Sequence, residues 1–181
     1  MRIRRSTLVT LTGLVLEDYK SRLRRDLLPF PDADGFEYSK WREFLVAHAV
    51  LIELSTMLYR DGGVSLAVAR SAISNQAGQI YDRLAQAESG HVSAAPFIYA
   101  GIVQGNDTDN ISSTIHIVGT LAEIGDSLHG RELRRRADET PGGPWHDRIF
   151  LADIGKAIAT VRMRAHDGGI ELPVDVSDWT Q

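Results

Sequence analysis

Apolar residues in the first half of the chain recur three or four positions apart, as they do on one face of an α-helix. Leu8 and Leu11 predict a short first helix, and Gly13 then offers a turn. Acidic residues and a new apolar stripe predict a second helix over about 17–26, which Pro29 ends. We therefore expect two short helices joined by a tight turn.

The next part of the chain predicts an aromatic ribbon between longer helices. Residues 36–38 are aromatic and alternating, which favours a strand or wing. Apolar residues at helical spacing then predict one helix over about 40–58. Ser65 is a suitable N-cap for a further helix over about 65–88.

After about residue 96 the pattern changes to strands. Residues 97–103 and 111–118 are separated by a Gly-Asn-Asp loop and predict a β-hairpin. Residues 149–151 suit a third strand, and Asp153 can cap a last helix. We predict a mainly helical α+β protein, with a winged helix-turn-helix-like N-terminal module followed by a small α+β C-terminal domain that contains the hairpin.

These changes of pattern also predict a division of the chain into three parts. Residues 1–62 would form the helix-turn-helix-like module, and 63–90 a connecting or dimerisation helix. Residues 91–181 would form a small α+β domain of unassigned role. We expect this last part to offer a surface for a small molecule or a protein.

Composition narrows the classes of function. The chain has 181 residues, a net charge of -4 and no cysteine, so disulfides and thiolate metal sites are excluded. No apolar run approaches the roughly 20 residues of a membrane span. We expect a cytoplasmic protein without a membrane segment.

The N-terminal residues nevertheless carry a strong local positive charge. Residues 1–25 have a net charge of +5, so the rest of the chain carries about -9. The cations of this cluster are Arg2, Arg4, Arg5, Lys20, Arg22, Arg24 and Arg25. Such asymmetry is typical of a local phosphate-binding surface.

The order of these elements resembles the MerR-type winged helix-turn-helix. The likeness covers about residues 6–75 and is carried by the turn at 11–14, the helix end at 27–29, the wing-like 35–38 and the helix start at 63–66. Lys20 falls where the family usually has a basic residue in its recognition helix. Asp26 stands where the family has a glycine.

The resemblance implies a dimeric, DNA-binding transcriptional regulator that reads duplex DNA with the helix at about 17–26. Lys20 and Arg24 are four residues apart and would share the exposed face of that helix. The DNA-binding residues we predict are Lys20, Arg22, Arg24, Arg25, Arg4 and Arg5. No cofactor is expected.

Two other functions are compatible with the same residues. The basic helix could be the solvated face of a protein–protein interaction module that binds no nucleic acid. An enzyme is a further alternative, although no local motif indicates a catalytic or metal site. The histidines have no metal-ligand spacing, and His48 lies on the apolar face of its helix.

Overall fold

Helices account for most of the architecture. The computed structural model describes residues 1–30, 43–86, 98–106, 112–137 and 148–181. In chain order the α-helices are α1 (Arg5–Thr12), α2 (Leu16–Arg24), α3 (Val46–Arg60), α4 (Leu66–Asn75), α5 (Ala77–Gln86), α6 (Leu121–Ala137) and α7 (Ile154–Asp167). A 3₁₀ helix over Val176–Thr180 follows.

The strands form two small antiparallel sheets. They are β1 (Arg2–Arg4), β2 (Glu43–Leu45), β3 (Ile98–Asn106), β4 (Ser112–Thr120) and β5 (Arg148–Asp153). β1 pairs with β2, and β3 lies between β4 and β5. The mainly helical α+β class and the β3–β4 hairpin predicted from the sequence are therefore confirmed.

Helix α3 is the centre of the protein. Most of its residues are buried, on several sides of the helix, so other elements must surround it. Helices α1, α4 and α7, strand β5 and the 3₁₀ helix all pack against it. This arrangement places the first helix on the same support as the last helix.

One hydrophobic core serves both halves of the chain. It joins Leu8 and Leu11 of α1 to Ile102 of β3, Val161 of α7 and Trp179 of the 3₁₀ helix. Trp179 is fully buried, and its indole N–H donates to the carbonyl of Pro173. The predicted boundaries near residues 62 and 90 thus do not coincide with separate cores.

A smaller apolar cluster lies on the other face of the three-stranded sheet. Val103 and Ile117 are buried there together with Ile124 of α6. Side chains alternate between the two faces of a strand, so Ala100 and Ile102 of β3 enter the main core while Val103 enters this cluster. The sheet therefore lies between α6 and the main core.

Three details of the sequence prediction need correction or completion. The helix predicted from residue 40 begins at Val46, because Glu43–Leu45 pairs with β1 instead. The single helix predicted over 65–88 is two helices, α4 and α5, which are separated at Gln76. The side-chain amide of Gln76 donates to the carbonyls of Ala72 and Gly101. The predicted wing at 36–38 lies outside the described residues.

The two predicted helix caps are confirmed. The Ser65 side chain accepts a hydrogen bond from the backbone N–H of Val68 at the start of α4. The Asp153 carboxylate accepts one from the N–H of Lys156 at the start of α7. Each satisfies a backbone donor that the first helical turn leaves without a partner.

Candidate nucleic-acid interface

The candidate interface is built on the α1–turn–α2 unit. Gly13 follows α1 with φ of +62°, and its N–H donates to the carbonyl of Thr10. A left-handed residue at this point reverses the chain and is typical of glycine. Leu11 and Tyr19 are buried on either side of the turn, so both helices are anchored in the core.

Helix α2 presents a polar outer face. Glu17, Lys20 and Arg24 lie three or four residues apart and are exposed, on the side away from Tyr19. The Lys20 ammonium lies 3.4 Å from a Glu17 carboxylate oxygen. An exposed pair at this distance contributes little to stability, so the lysine can exchange it for another anion.

Arg24 is the last residue of α2, and Arg25 follows it directly. Both are exposed, and neither forms an ion pair with a residue of the described chain. Of the basic residues predicted to bind DNA, Lys20, Arg24 and Arg25 are therefore exposed, as expected.

The expectation of exposure is wrong for Arg22. Only 9% of this residue is accessible, and its guanidinium donates to the Thr56 hydroxyl of α3 at 3.1 Å. Burial, and then the neighbouring positive charge of Arg60, lower the pKa of Arg22 from its ordinary value. Arg22 lies at the α2–α3 contact because it is three residues from Tyr19, on the inner face of the helix.

The N-terminal arginines lie on and beside the β1–β2 ribbon. Arg2 and Arg4 are exposed on one face of β1, while Ile3 between them is buried. Arg2 makes a 3.3 Å ion pair with Glu43 of β2. Arg5 is half-buried at the first position of α1. Of the two N-terminal arginines predicted to bind DNA, Arg4 is thus more accessible than Arg5.

Asp26 ends the helical region with a left-handed backbone. Its φ is +51°, a conformation that aspartate tolerates better than most residues. Its carboxylate accepts a 2.8 Å hydrogen bond from Arg70 of α4. Asp26 stands where the resemblance implies a glycine, and its backbone has the left-handed conformation that glycine favours.

An arginine of α7 contacts the turn between α1 and α2, which the sequence pattern does not predict. The Arg164 guanidinium of α7 donates to the Glu53 carboxylate of α3 at 2.6 Å and to the Leu11 carbonyl at 3.4 Å. A Cβ added at Gly13 would lie 2.7 Å from Arg164 Nε, so the guanidinium packs directly against the turn. No local pattern could have linked residues so distant in the chain.

Two of the described histidines contact other parts of the fold. The His48 ring stacks on Phe30 with 4.4 Å between centroids, and its Nδ1 accepts the N–H of Leu45 before α3. His116 lies 3.2 Å from the Asn75 side chain. Within the described ranges, no group of three or more histidine or acidic residues is placed to hold a metal ion.

Among the described residues, no helix combines the length and the apolar character needed to cross a membrane.

Comparison with known proteins gives no family for this chain: no family model matches it, and no curated protein matches it.

Proposed function

We propose that this protein is a DNA-binding transcriptional regulator that reads duplex DNA with α2. The observation that carries the proposal is the two-sided character of α2. Tyr19 anchors its inner side in the core, while Lys20 and Arg24 stand one turn apart on its outer side. A helix that enters the major groove needs this combination of an anchored back and a cationic front.

The support beneath α2 strengthens the proposal. The chain changes direction between α1 and α2 at the left-handed Gly13, and Arg164, which is bound to Glu53, packs against this turn. A reading helix must be held in place, since the contacts with base edges depend on its orientation. Arg4, exposed on β1, and Arg25 add further cations for the phosphate backbone.

Binding to a duplex of random sequence across a salt series tests the proposal. Non-specific binding is expected to have a Kd of about 10⁻⁴–10⁻⁶ M at physiological salt, and to weaken steeply as salt rises. No binding at about 50 mM salt would exclude DNA as the partner. If the protein binds, sedimentation of the complex shows how many copies bind one duplex. We propose two copies, because a single recognition helix contacts only a few base pairs.

A matched pair of double variants locates the interface. We expect Lys20→Ala with Arg24→Ala to weaken binding and to lower the salt slope by about 2, since each side chain neutralises one phosphate and accounts for about one unit of slope. Lys156→Ala with Arg148→Ala removes the same two charge types from exposed positions of the C-terminal half. If both double variants weaken binding equally, the effect comes from bulk charge and α2 is not the reading helix.

A protein–protein module is the second candidate, because an apolar pair lies at the start of α2. Val15 is 63% exposed and Leu16 is 44% exposed. Side chains of this kind next to a cationic helix also suit an acidic, partly apolar protein surface. This candidate predicts that the wild-type protein does not bind duplex DNA, and that Val15→Ser with Leu16→Ser abolishes its binding to an acidic protein partner.

A further inference from the structure

The starting observation is a pair of apolar side chains exposed where α2 begins. Leu16 is the first residue of the helix and is 44% exposed, while Val15 before it is 63% exposed. Leu14, the residue before this pair, is buried in the core. The chain thus turns its apolar side chains outward at the point where it enters α2.

Leu16 lies in line with the exposed cations of α2. Leu16, Lys20 and Arg24 are four residues apart and exposed, so they form one ridge along the helix. Tyr19 and Arg22, on the inner side of the helix, are buried. One apolar side chain and two cations are therefore presented together to whatever binds α2.

The acidic residues of the first turn leave this ridge positive. Glu17, next to Leu16, has a carboxylate oxygen 3.4 Å from the ammonium of Lys20. Asp18 is two residues after Leu16, which places it roughly 200° further around the helix. Two cations against one acid keep the ridge attractive to a negatively charged partner.

A partner that matches the ridge must offer an apolar group beside negative charges. The major groove of duplex DNA does so, because phosphates line it and thymine presents a 5-methyl group there. In helix-turn-helix proteins the N-terminal residues of the reading helix contact the base edges. Val15 and Leu16 hold that place in α2, and Lys20 and Arg24 follow along the helix.

We propose that Leu16, with Val15 beside it, is a specificity-determining residue that contacts the 5-methyl group of thymine. Contact between the methyl group and the leucine removes apolar surface of both from water, which stabilises the complex. The inference rests on the proposed function. It adds the class of sequence that the protein prefers, which is one with thymine where α2 enters the groove.

Replacing thymine by deoxyuridine tests the contact. Deoxyuridine lacks only the 5-methyl group, so base pairing and phosphate charge are kept. We would compare a duplex of alternating A and T with the same duplex containing deoxyuridine, because such a repeat offers thymine in every register. The wild-type protein should bind the thymine duplex about fourfold more tightly for each methyl group that it covers, with an equal salt slope.

Variants of the protein assign this preference to the apolar pair. Leu16→Ala should weaken binding to the thymine duplex and change binding to the deoxyuridine duplex little, because the lost contact is with the methyl group. Adding Val15→Ala should remove the rest of the preference. A merely structural role of Leu16 would instead weaken binding to both duplexes equally. Leu121→Ala is the matched control, since Leu121 is also the first residue of a helix and is 57% exposed.

The possible results separate this inference from the proposed function. Equal binding of the two duplexes by the wild-type protein would overturn the inference and leave DNA binding in place. The inference also fails if the thymine preference survives Val15→Ala with Leu16→Ala, or if Leu121→Ala lowers it as much as Leu16→Ala. If the wild-type protein binds neither duplex, the proposed function is refuted, and the inference is refuted with it.

Discussion

Replacing Gly13 by alanine tests how firmly α7 holds the α1–α2 turn. The φ of +62° at Gly13 is a left-handed conformation, which costs an alanine about 1–2 kcal/mol. The new Cβ would also lie 2.7 Å from Arg164 Nε, so the guanidinium must move away from the turn. We expect that movement to break the 2.6 Å contact between Arg164 and Glu53.

The cost of breaking this ion pair can be bounded from its burial. A hydrogen bond to a charged group contributes about 1.5–3 kcal/mol net. The Arg164 side chain is 25% exposed and that of Glu53 is 11% exposed, so solvent screening favours the lower end, about 1.5 kcal/mol. With the cost of the left-handed backbone, we expect Gly13→Ala to lower the free energy of unfolding by about 2.5–3.5 kcal/mol.

Gly169 supplies the matched control. Its φ is +63°, but a Cβ added there would meet nothing within 4 Å. Gly169→Ala should therefore cost only the backbone part, about 1–2 kcal/mol. Urea unfolding measures both, as a shift of the midpoint at an unchanged slope.

A double-mutant cycle isolates the contact itself. In an Arg164→Met background, which keeps an apolar stem, Gly13→Ala should cost no more than Gly169→Ala does. The coupling between positions 13 and 164 should be about 1.5 kcal/mol. If the two substitutions add to within about 0.5 kcal/mol, Arg164 does not hold the turn and the reasoning is wrong.

Three further outcomes follow from single side chains. Burial raises the pKa of Tyr81 from its ordinary value of 10 to about 12. Between these two pH values Tyr81 ionises in the unfolded chain but not in the folded protein, so the free energy of unfolding falls as the pH rises. Tyr81→Phe should lessen this fall, measured as the urea midpoint at alkaline pH. A tyrosinate signal from Tyr81 near pH 10 would contradict this. Hydrogen bonds from the backbone N–H of Thr120, and then from Arg83, lower the pKa of Glu123 from its ordinary value of 4.5. The ionised Glu123 therefore stabilises the folded protein above pH 4.5, and this stabilisation is lost as the pH falls below that value. Glu123→Gln should flatten that acid-side loss, and an unchanged acid profile would count against the contact. Ser65→Ala should cost about 1 kcal/mol through removal of the cap of α4, whereas Ser6→Ala, with no capping bond, should cost less; equal costs would refute the capping role.

Periodicity and capping residues are sufficient to predict most of the helices. Tyr19 and its neighbours mark α2, and Ser65 and Asp153 mark the starts of α4 and α7, because these signals are local. The hairpin of β3 and β4 is predictable for the same reason, since its strands are neighbours in the sequence.

Features that depend on distant partners cannot be predicted in this way. Helical periodicity includes Glu43–Leu45 in a helix, because only its pairing with β1 makes it a strand. The charge pattern places Arg22 on an exposed face, since its contact with Thr56 belongs to the tertiary structure. Gln76 divides a helical pattern through a bond to the Gly101 carbonyl of β3, which helical periodicity does not encode.

The shared core has a consequence for the order in which this protein can fold. The carbonyl of Leu11 is bound by Arg164, which lies 153 residues further along the chain. Contacts of such high sequence separation close long loops, and proteins rich in them fold slowly. During synthesis the first two helices would leave the ribosome long before α7, which holds their turn. We therefore expect α2 to reach its final orientation only after nearly the whole chain has been made.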